Sequence, residues 1–444
     1  MVMSFQGGHQ VNITVEGNKT LIVDGPASVM VVSGKVEVFG LVINRAGKVV
    51  VRDGKRMPFK VLETTTFDIS LGENACVEEV QGSTIPPSWE KAHETLSSLR
   101  SRPAIAMVLG AIDSGKTSFC TYLVNKLLAS NYKVAIIDGD LGQADVGPPC
   151  TVAYAITSKP ITDLFNLMLE NAFFVGVTSP SKAIEKTIQG LTMLKDEVLK
   201  KNPDFIIVNT DGWVDGEDAV KYKVQLVEKI NPDIIFLMHQ DSRLTPLLSE
   251  LGNYRTLPIE SPTTIKQRSR EKRRSLRELG YFKYLRNAKV QSIPIGWVKI
   301  ENGEHMFTNR NPADMKLEET LQKLIGVMPL HVAELKDKLY LVFSRGRQLK
   351  SEEIMKLEKS LGKKVVATYS GDEEGLLVAL YDGENKFLGI GILREIDYRR
   401  RTMKIYTPVS SGFSKIVIGK VRLDKSFKEV STLEEKPDPA FPCP

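Results

Sequence analysis

The segment "AIAMVLGAIDSGKTSFC", residues 104–120, limits the fold more than any other part of the chain. Its continuous apolar start reads as a strand buried on both faces, as in a parallel sheet. A Gly-x4-Gly-Lys-Thr pattern follows at once, with Gly110, Gly115, Lys116 and Thr117. Cys120, Leu123, Val124, Leu127 and Leu128 then recur at helical spacing. Strand, glycine loop and helix in this order make a Walker A phosphate loop. Gly110 and Gly115 allow dihedrals and a close approach that a Cβ would hinder. The amides from Asp113 through Ser114, Gly115, Lys116, Thr117 and Ser118, at a helix N-terminus, point at phosphates. Lys116 supplies a point charge to the β and γ oxygens, and Thr117 a hydroxyl to Mg2+. Asp113 is an anion beside phosphates and needs a reason to be there. Turning outward to position the loop or the acceptor would supply one.

A chain of 444 residues exceeds one ordinary core, and two to three domains are expected. Residues 1–85 alternate β-branched and polar residues between Gly-containing turns, the pattern of a small β domain. Residues 86–103, opening on Pro86-Pro87, read as a linker with a short helical pattern. From 104 to 300, apolar strands alternate with amphipathic helices. That argues an α/β fold, a P-loop NTPase core with a parallel sheet covered on both faces. Residues 301–444 return to strands, a mostly β domain with one helix at "SEEIMKLEKSLG" and a loose Pro-rich tail. No run of apolar residues is long enough for a membrane span, and no signal peptide is recognisable. The four cysteines, Cys76, Cys120, Cys150 and Cys443, are widely spaced, which argues against a disulfide framework or a zinc site and for a reducing interior. The net charge of +6 is too mild to indicate nucleic acid by itself, so distribution matters more.

The stretch "IIDGDLGQADVGPP" follows the second core strand. A carboxylate at such a strand end can hold the Mg2+ shell or accept a proton. Asp138 and Asp140, one residue apart, point the same way in extended chain. Asp138 is the candidate metal residue, and Gln143 could orient a ligand; a turn or helix cap without chemistry is the plain alternative. The guanine-reading Asn-Lys-x-Asp element is replaced by "VNTDGW", which argues against a GTPase.

Together with "NTDGWVDG" (209–216), "MHQDSRL" (238–244) and "RSREKRRSLRELGYF" (268–282), these motifs resemble the polynucleotide 5′-hydroxyl kinases of RNA processing. That family comprises the pre-mRNA cleavage-complex kinase and its archaeal relatives. The resemblance is specific in the core and loose in the flanking domains. It implies ATP and Mg2+, a 5′-hydroxyl RNA end as acceptor with DNA as second candidate, and partner proteins of RNA processing. Asp140 matches the family's general base. Thr210, Gly212 and Trp213 match its clasp on the nucleic acid, Trp213 by stacking a base. The run within 263–282 matches its Arg-rich lid. On a helix, Arg270, Arg273, Arg274 and Arg277 fall three and four apart and share a face. Arg274 and Arg277 are the first choices for the phosphates. Val177-Thr178 stands where the family often has a His-Thr pair.

Two other readings stand beside the kinase: an ATP-binding scaffold subunit of an RNA-processing complex, and a P-loop ATPase of the metal-insertion or protein-targeting type. Lys116, Thr117, Asp140 and the arginines are all present, which favours activity. Arg399, Arg400 and Arg401, beside tyrosines, offer a further basic surface, although such a run is more often a solvated strand end. The compact form with few insertions suggests an archaeal source and a cytoplasmic location, or a nuclear one in a eukaryote.

Overall fold

The computed structural model describes residues 2–4, 8–239, 242–303, 313–335, 338–346 and 348–432. Gln240 and Asp241 of "MHQDSRL", and Cys443 with the tail beyond residue 432, lie outside them. The chain divides into two compact units, Met1–Gly280 and Tyr281–Pro444. The expected boundaries therefore need correction. Residues 281–300 go with the C-terminal unit, because Lys289–Pro294 and Lys299–Glu301 are strands of its sheet.

In the first unit, residues 1–85 form an eight-stranded antiparallel sheet around the long strand Arg56–Leu71. That strand buries Met57, Phe59, Val61, Phe67, Ile69 and Leu71, the alternate positions that a half-buried strand presents to one face. Residues 86–103 carry the short helix that their pattern suggests. Helix Pro87–Ser97 buries Trp89, Ala92 and Leu96 at helical spacing. The Trp89 ring meets Phe119 and Tyr122 edge-on, and its Nε1 donates to the Glu260 carbonyl at 2.9 Å.

The core sheet runs in the order Asn171–Phe174, Thr151–Thr157, Val134–Asp138, Phe205–Asn209, Ala104–Gly110, Ile234–His239, Thr256–Glu260. The last five strands are parallel; the first two join antiparallel, so the sheet is mixed at one edge. Register places Asp138 opposite Asn209 and Met238 opposite Gly110. The carboxyl ends of the parallel strands thus open onto one rim, where open α/β sheets bind ligands.

The second unit has a seven-stranded sheet built around Leu376–Tyr381 and Phe387–Asp397. A three-stranded sheet, His331–Leu335, Lys338–Phe343 and Lys364–Tyr369, has its own core with helices Ala313–Ile325 and Ser351–Leu361. Ser351–Leu361 is the helix read from the sequence. Among the described residues no helix is long and apolar enough to cross a membrane.

Candidate active site

The phosphate loop joins Ala104–Gly110 to helix Lys116–Ala129, and Gly115 turns the chain at φ 101°. A Cβ on Gly110 would lie 2.9 Å from both Ser114 Oγ and Met238 Cβ, so only glycine lets the loop close here. Ser114 is fully buried and its Oγ has no hydrogen-bond partner. Lys116 is buried, and its Nζ donates to the Ala111 carbonyl at 2.7 Å. Burial brings its pKa down to about 8, against the pull of Asp140 in the other direction.

Asp138 and Asp140 have separate tasks. Asp138 is buried beneath the loop. Its Oδ2 accepts from the amides of Asp145 and Val146, and its Oδ1 from Asn209 Nδ2 and the Asp140 amide. Both oxygens are thus spent on shaping the loop, and Asp138 is not among the residues lining the cavity. The expected role as a metal residue is therefore corrected. Asp140 does line the cavity. Its Oδ1 accepts from the Gly142 and Gln143 amides at 3.0 and 2.9 Å. Removal from water holds this carboxyl above the ordinary aspartate value, although Lys116 opposes the shift.

The cavity holds about 620 Å³ and also receives Thr117, Ser118, Gln143, Thr178, Gly212 and Trp213. Trp213 stacks on Tyr222 with centroids 5.6 Å apart, and its amide donates to Asp211 Oδ1. Asp211 in turn accepts from Tyr222 Oη and the buried Lys223 Nζ, both at 2.8 Å. This buried ion pair fixes the clasp loop, and no spacing in the sequence announced it. A Cβ on Gly212 would meet Ile112 atoms at 2.6–2.7 Å, so this glycine lets the clasp loop approach the phosphate loop. Thr210 is a correction. It is buried, and its hydroxyl donates to the Val108 carbonyl at 2.8 Å instead of facing the cavity.

The run within 263–282 expected as a lid falls on helix Arg270–Leu285 and the segment before it. Lys272, Arg273, Leu276 and Arg277 line the cavity, as does Arg268 just upstream. Arg270 and Arg274 do not; both are exposed, and Arg274 pairs with Glu278 at 3.1 Å. Asp113, at φ 54°, is the anchor of this lid. It accepts from the Arg268 amide at 2.9 Å and takes the guanidinium groups of Arg268 and Arg273 at 3.2 and 3.3 Å. Gln143 Nε2 holds the helix backbone at the Arg273 carbonyl. The N-terminal sheet closes the other side. Lys272 pairs with Asp53 at 2.6 Å, Arg268 Nε donates to the Gly54 carbonyl, and Arg56 donates to the Thr264 carbonyl. Arg56 also holds Asp24, whose pKa lies at about 2 because these contacts outweigh its burial.

The family model described as the mRNA cleavage and polyadenylation factor CLP1 P-loop matches residues 110–287. The polyribonucleotide 5′-hydroxyl-kinase of Thermococcus kodakarensis is 30% identical over 79% of this chain and 96% of that protein. The one of Pyrococcus furiosus is 29% identical over the same shares. The fold is that of a chain in the wild-type Clp1p–Pcf11p complex, with a TM-score of 0.65 at 14% identity, over 94% of this chain and 99% of that one. The chain belongs to the family of polyribonucleotide 5′-hydroxyl-kinases.

Proposed function

We propose that this chain transfers the γ-phosphate of ATP to the 5′-hydroxyl of an RNA end. The observation that carries the reading is the convergence of Lys116, Asp140, Trp213 and Arg277 on a single cavity. The fit for a triphosphate rests on the buried Lys116 ammonium, the unpartnered Ser114 Oγ and the glycine cradle at Gly110. Mg2+ suits the same place, with the Thr117 hydroxyl as the chain's own donor; bound there, it neutralises charge on the β and γ oxygens.

Each residue then has a task. Lys116 exchanges the Ala111 carbonyl for phosphate oxygens. Asp140 accepts the proton of the 5′-hydroxyl as that oxygen attacks the γ-phosphorus, the bond to the β,γ-bridging oxygen breaks and ADP leaves. Trp213 stacks the terminal base and holds the hydroxyl in line. Arg273 and Arg277 face the charge that spreads over the transferring group, and a planar guanidinium fork suits that geometry. Asp113 keeps the first of these arginines at the edge of the phosphate loop.

Incubation with γ-labelled ATP, Mg2+ and matched 5′-hydroxyl RNA and DNA oligonucleotides tests this. Label on the RNA 5′ end, lost with Asp140→Asn, is expected. Folded protein that binds ATP and leaves RNA unlabelled would defeat the proposal.

A further inference from the structure

The expected basic patch at Arg399–Arg401 has a different surrounding from the one its neighbours in sequence suggest. Tyr398 is turned inward and stacks on His331 with centroids 5.6 Å apart. Another tyrosine takes up the surface role. Tyr406 lies on strand Thr402–Thr407, between the edge strand Lys289–Pro294 and strand Phe387–Asp397. Inward-facing Met403 and Ile405 on that strand are buried in the sheet's core. Lys404 and Tyr406 alternate with them and face the other way.

Around Tyr406 the rings form a connected row. Phe427 stacks on it at 6.0 Å with planes 26° apart, and Phe282 meets Phe427 at 6.1 Å. The Arg394 guanidinium sits over the Tyr406 ring at 5.2 Å. These rings are not a core: Phe282 is 57% exposed, and Val290, paired with Tyr406 across the edge, is 58% exposed. Phe427 holds its place at φ 63°, a left-handed position in the turn that follows Lys415–Leu423. An aromatic residue there carries backbone strain that an asparagine or glycine would avoid. Packing against Tyr406 and Phe282 leaves the ring partly open to solvent.

The charges around the row are mostly positive. Arg286, Lys425 and Lys428 are exposed. The nearby acids are already engaged: Glu395 pairs with Lys404 at 2.8 Å, Glu429 accepts from Tyr281 Oη, and Asp424 binds the amides of its own turn. At the other end of the same strands, Trp297 is 79% exposed and the Ile295 amide donates to the Arg401 carbonyl.

We infer that this face of the C-terminal sheet binds single-stranded RNA, stacking bases on Phe427, Tyr406 and Phe282 and pairing its backbone with the surrounding cations. Open sheet faces with aromatic rings and flanking bases read single strands in this way. A protein ligand is less well served, because the cations outnumber unengaged acids and the rings form a narrow row. The inference rests on RNA being the substrate.

The test is fluorescence anisotropy with a 5′-hydroxyl oligoribonucleotide of about 20 nucleotides, titrated across salt, alongside steady-state transfer on the same RNA. Two variants keep it decisive. Phe427→Gly removes the ring and suits the backbone, and Arg394→Gln removes a surface charge. Phe427→Gly should weaken binding about tenfold, a typical loss for one stacked base. Arg394→Gln should reduce the slope of log affinity against log salt by about 0.7. Both should raise KM for RNA and leave kcat at saturating RNA unchanged. Affinities within twofold of the wild type, with an unchanged salt slope, would overturn the inference. A wild type that transfers phosphate and ignores both substitutions rejects this surface alone. A wild type that binds RNA through it and transfers nothing rejects the kinase reading alone.

Discussion

Lys116 shows how a single residue couples titration to binding. Burial lowers its pKa to about 8, so the empty site gives up the lysine charge at mildly alkaline pH. A triphosphate favours the charged form and must raise that pKa again. ATP binding near pH 8.5 should therefore take up a proton, approaching roughly one per site, and less as pH falls toward neutrality. Calorimetry in buffers of different ionisation enthalpy reads this directly, and Lys116→Met should abolish the uptake. The stability term has its own sign. A lysine whose folded pKa lies below its unfolded value stabilises the fold more as pH rises from about 8 to about 10.5. Uptake that persists in Lys116→Met would assign the proton to another group. The residue types at Gly110 and Lys116 were legible in the sequence because the phosphate loop prescribes them, and Asp140 because it stands at a strand end in a motif that the family resemblance covers. The split between Asp138 and Asp140 was not. It depends on four N–H groups converging on Asp138, two of them from residues seven and eight positions away.

The lid helix is where element-level phase decides function. Five of its first eight residues are basic, so the three-and-four spacing of Arg270, Arg273, Arg274 and Arg277 fits several faces at once. Contacts outside the helix choose among them. Gly280 lies against Pro149, where a Cβ would come within 2.8 Å, and Leu276 turns to the cavity. With 100° per residue, Lys272, Arg273, Leu276 and Arg277 then occupy an arc of about 140°, and Arg274 falls outside it. Arg277→Ala should lower kcat by about 10³, near the bottom of the range for an arginine that stabilises a transferring phosphoryl group. Arg274→Ala removes an exposed i,i+4 pair and should leave kcat within about twofold. Rapid-quench measurement of a single turnover separates the two. Equal losses in both variants would mean that the helix turns on substrate binding. Arg268 escaped the sequence reading because it precedes the helix; its role depends on reaching Asp113 across 155 positions.

At the scale of the molecule, the N-terminal sheet is locked to the phosphate-loop domain by buried charge. Arg52 Nη2 and Nε reach Asp145 and Asp163, each at 2.6 Å, and Lys55 reaches Asp145 at 2.8 Å. The Arg52 guanidinium also lies 3.9 Å from the Phe165 ring centroid. None of this was visible in "VVVRDGKRMP", which reads as a solvated hairpin until its partners some 90–110 positions later are folded beneath it. The alternating strands and the order of the domains were legible, because local periodicity encodes them. Their joining was not, because it is made by single side chains at long range. Residues 1–280 should accordingly unfold as one cooperative transition, separate from that of residues 281–444. Arg52→Met leaves Asp163 buried without its cation and Asp145 with Lys55 alone and should cost the first transition about 3–5 kcal/mol, with the second unmoved. ATP should raise the first transition only. The acid side follows from the signs. Burial would raise the Asp145 pKa, but Lys55 and Arg52 outweigh it and depress the group below the ordinary aspartate value. Its contribution is thus fully present above the unfolded pKa near 4 and is lost as pH falls through the depressed value. Differential scanning calorimetry of wild type and Arg52→Met should show the gap between them narrowing as pH falls below about 4. A gap that stays constant to pH 2 would mean that Arg52 acts through its packing on Phe165 instead of through charge.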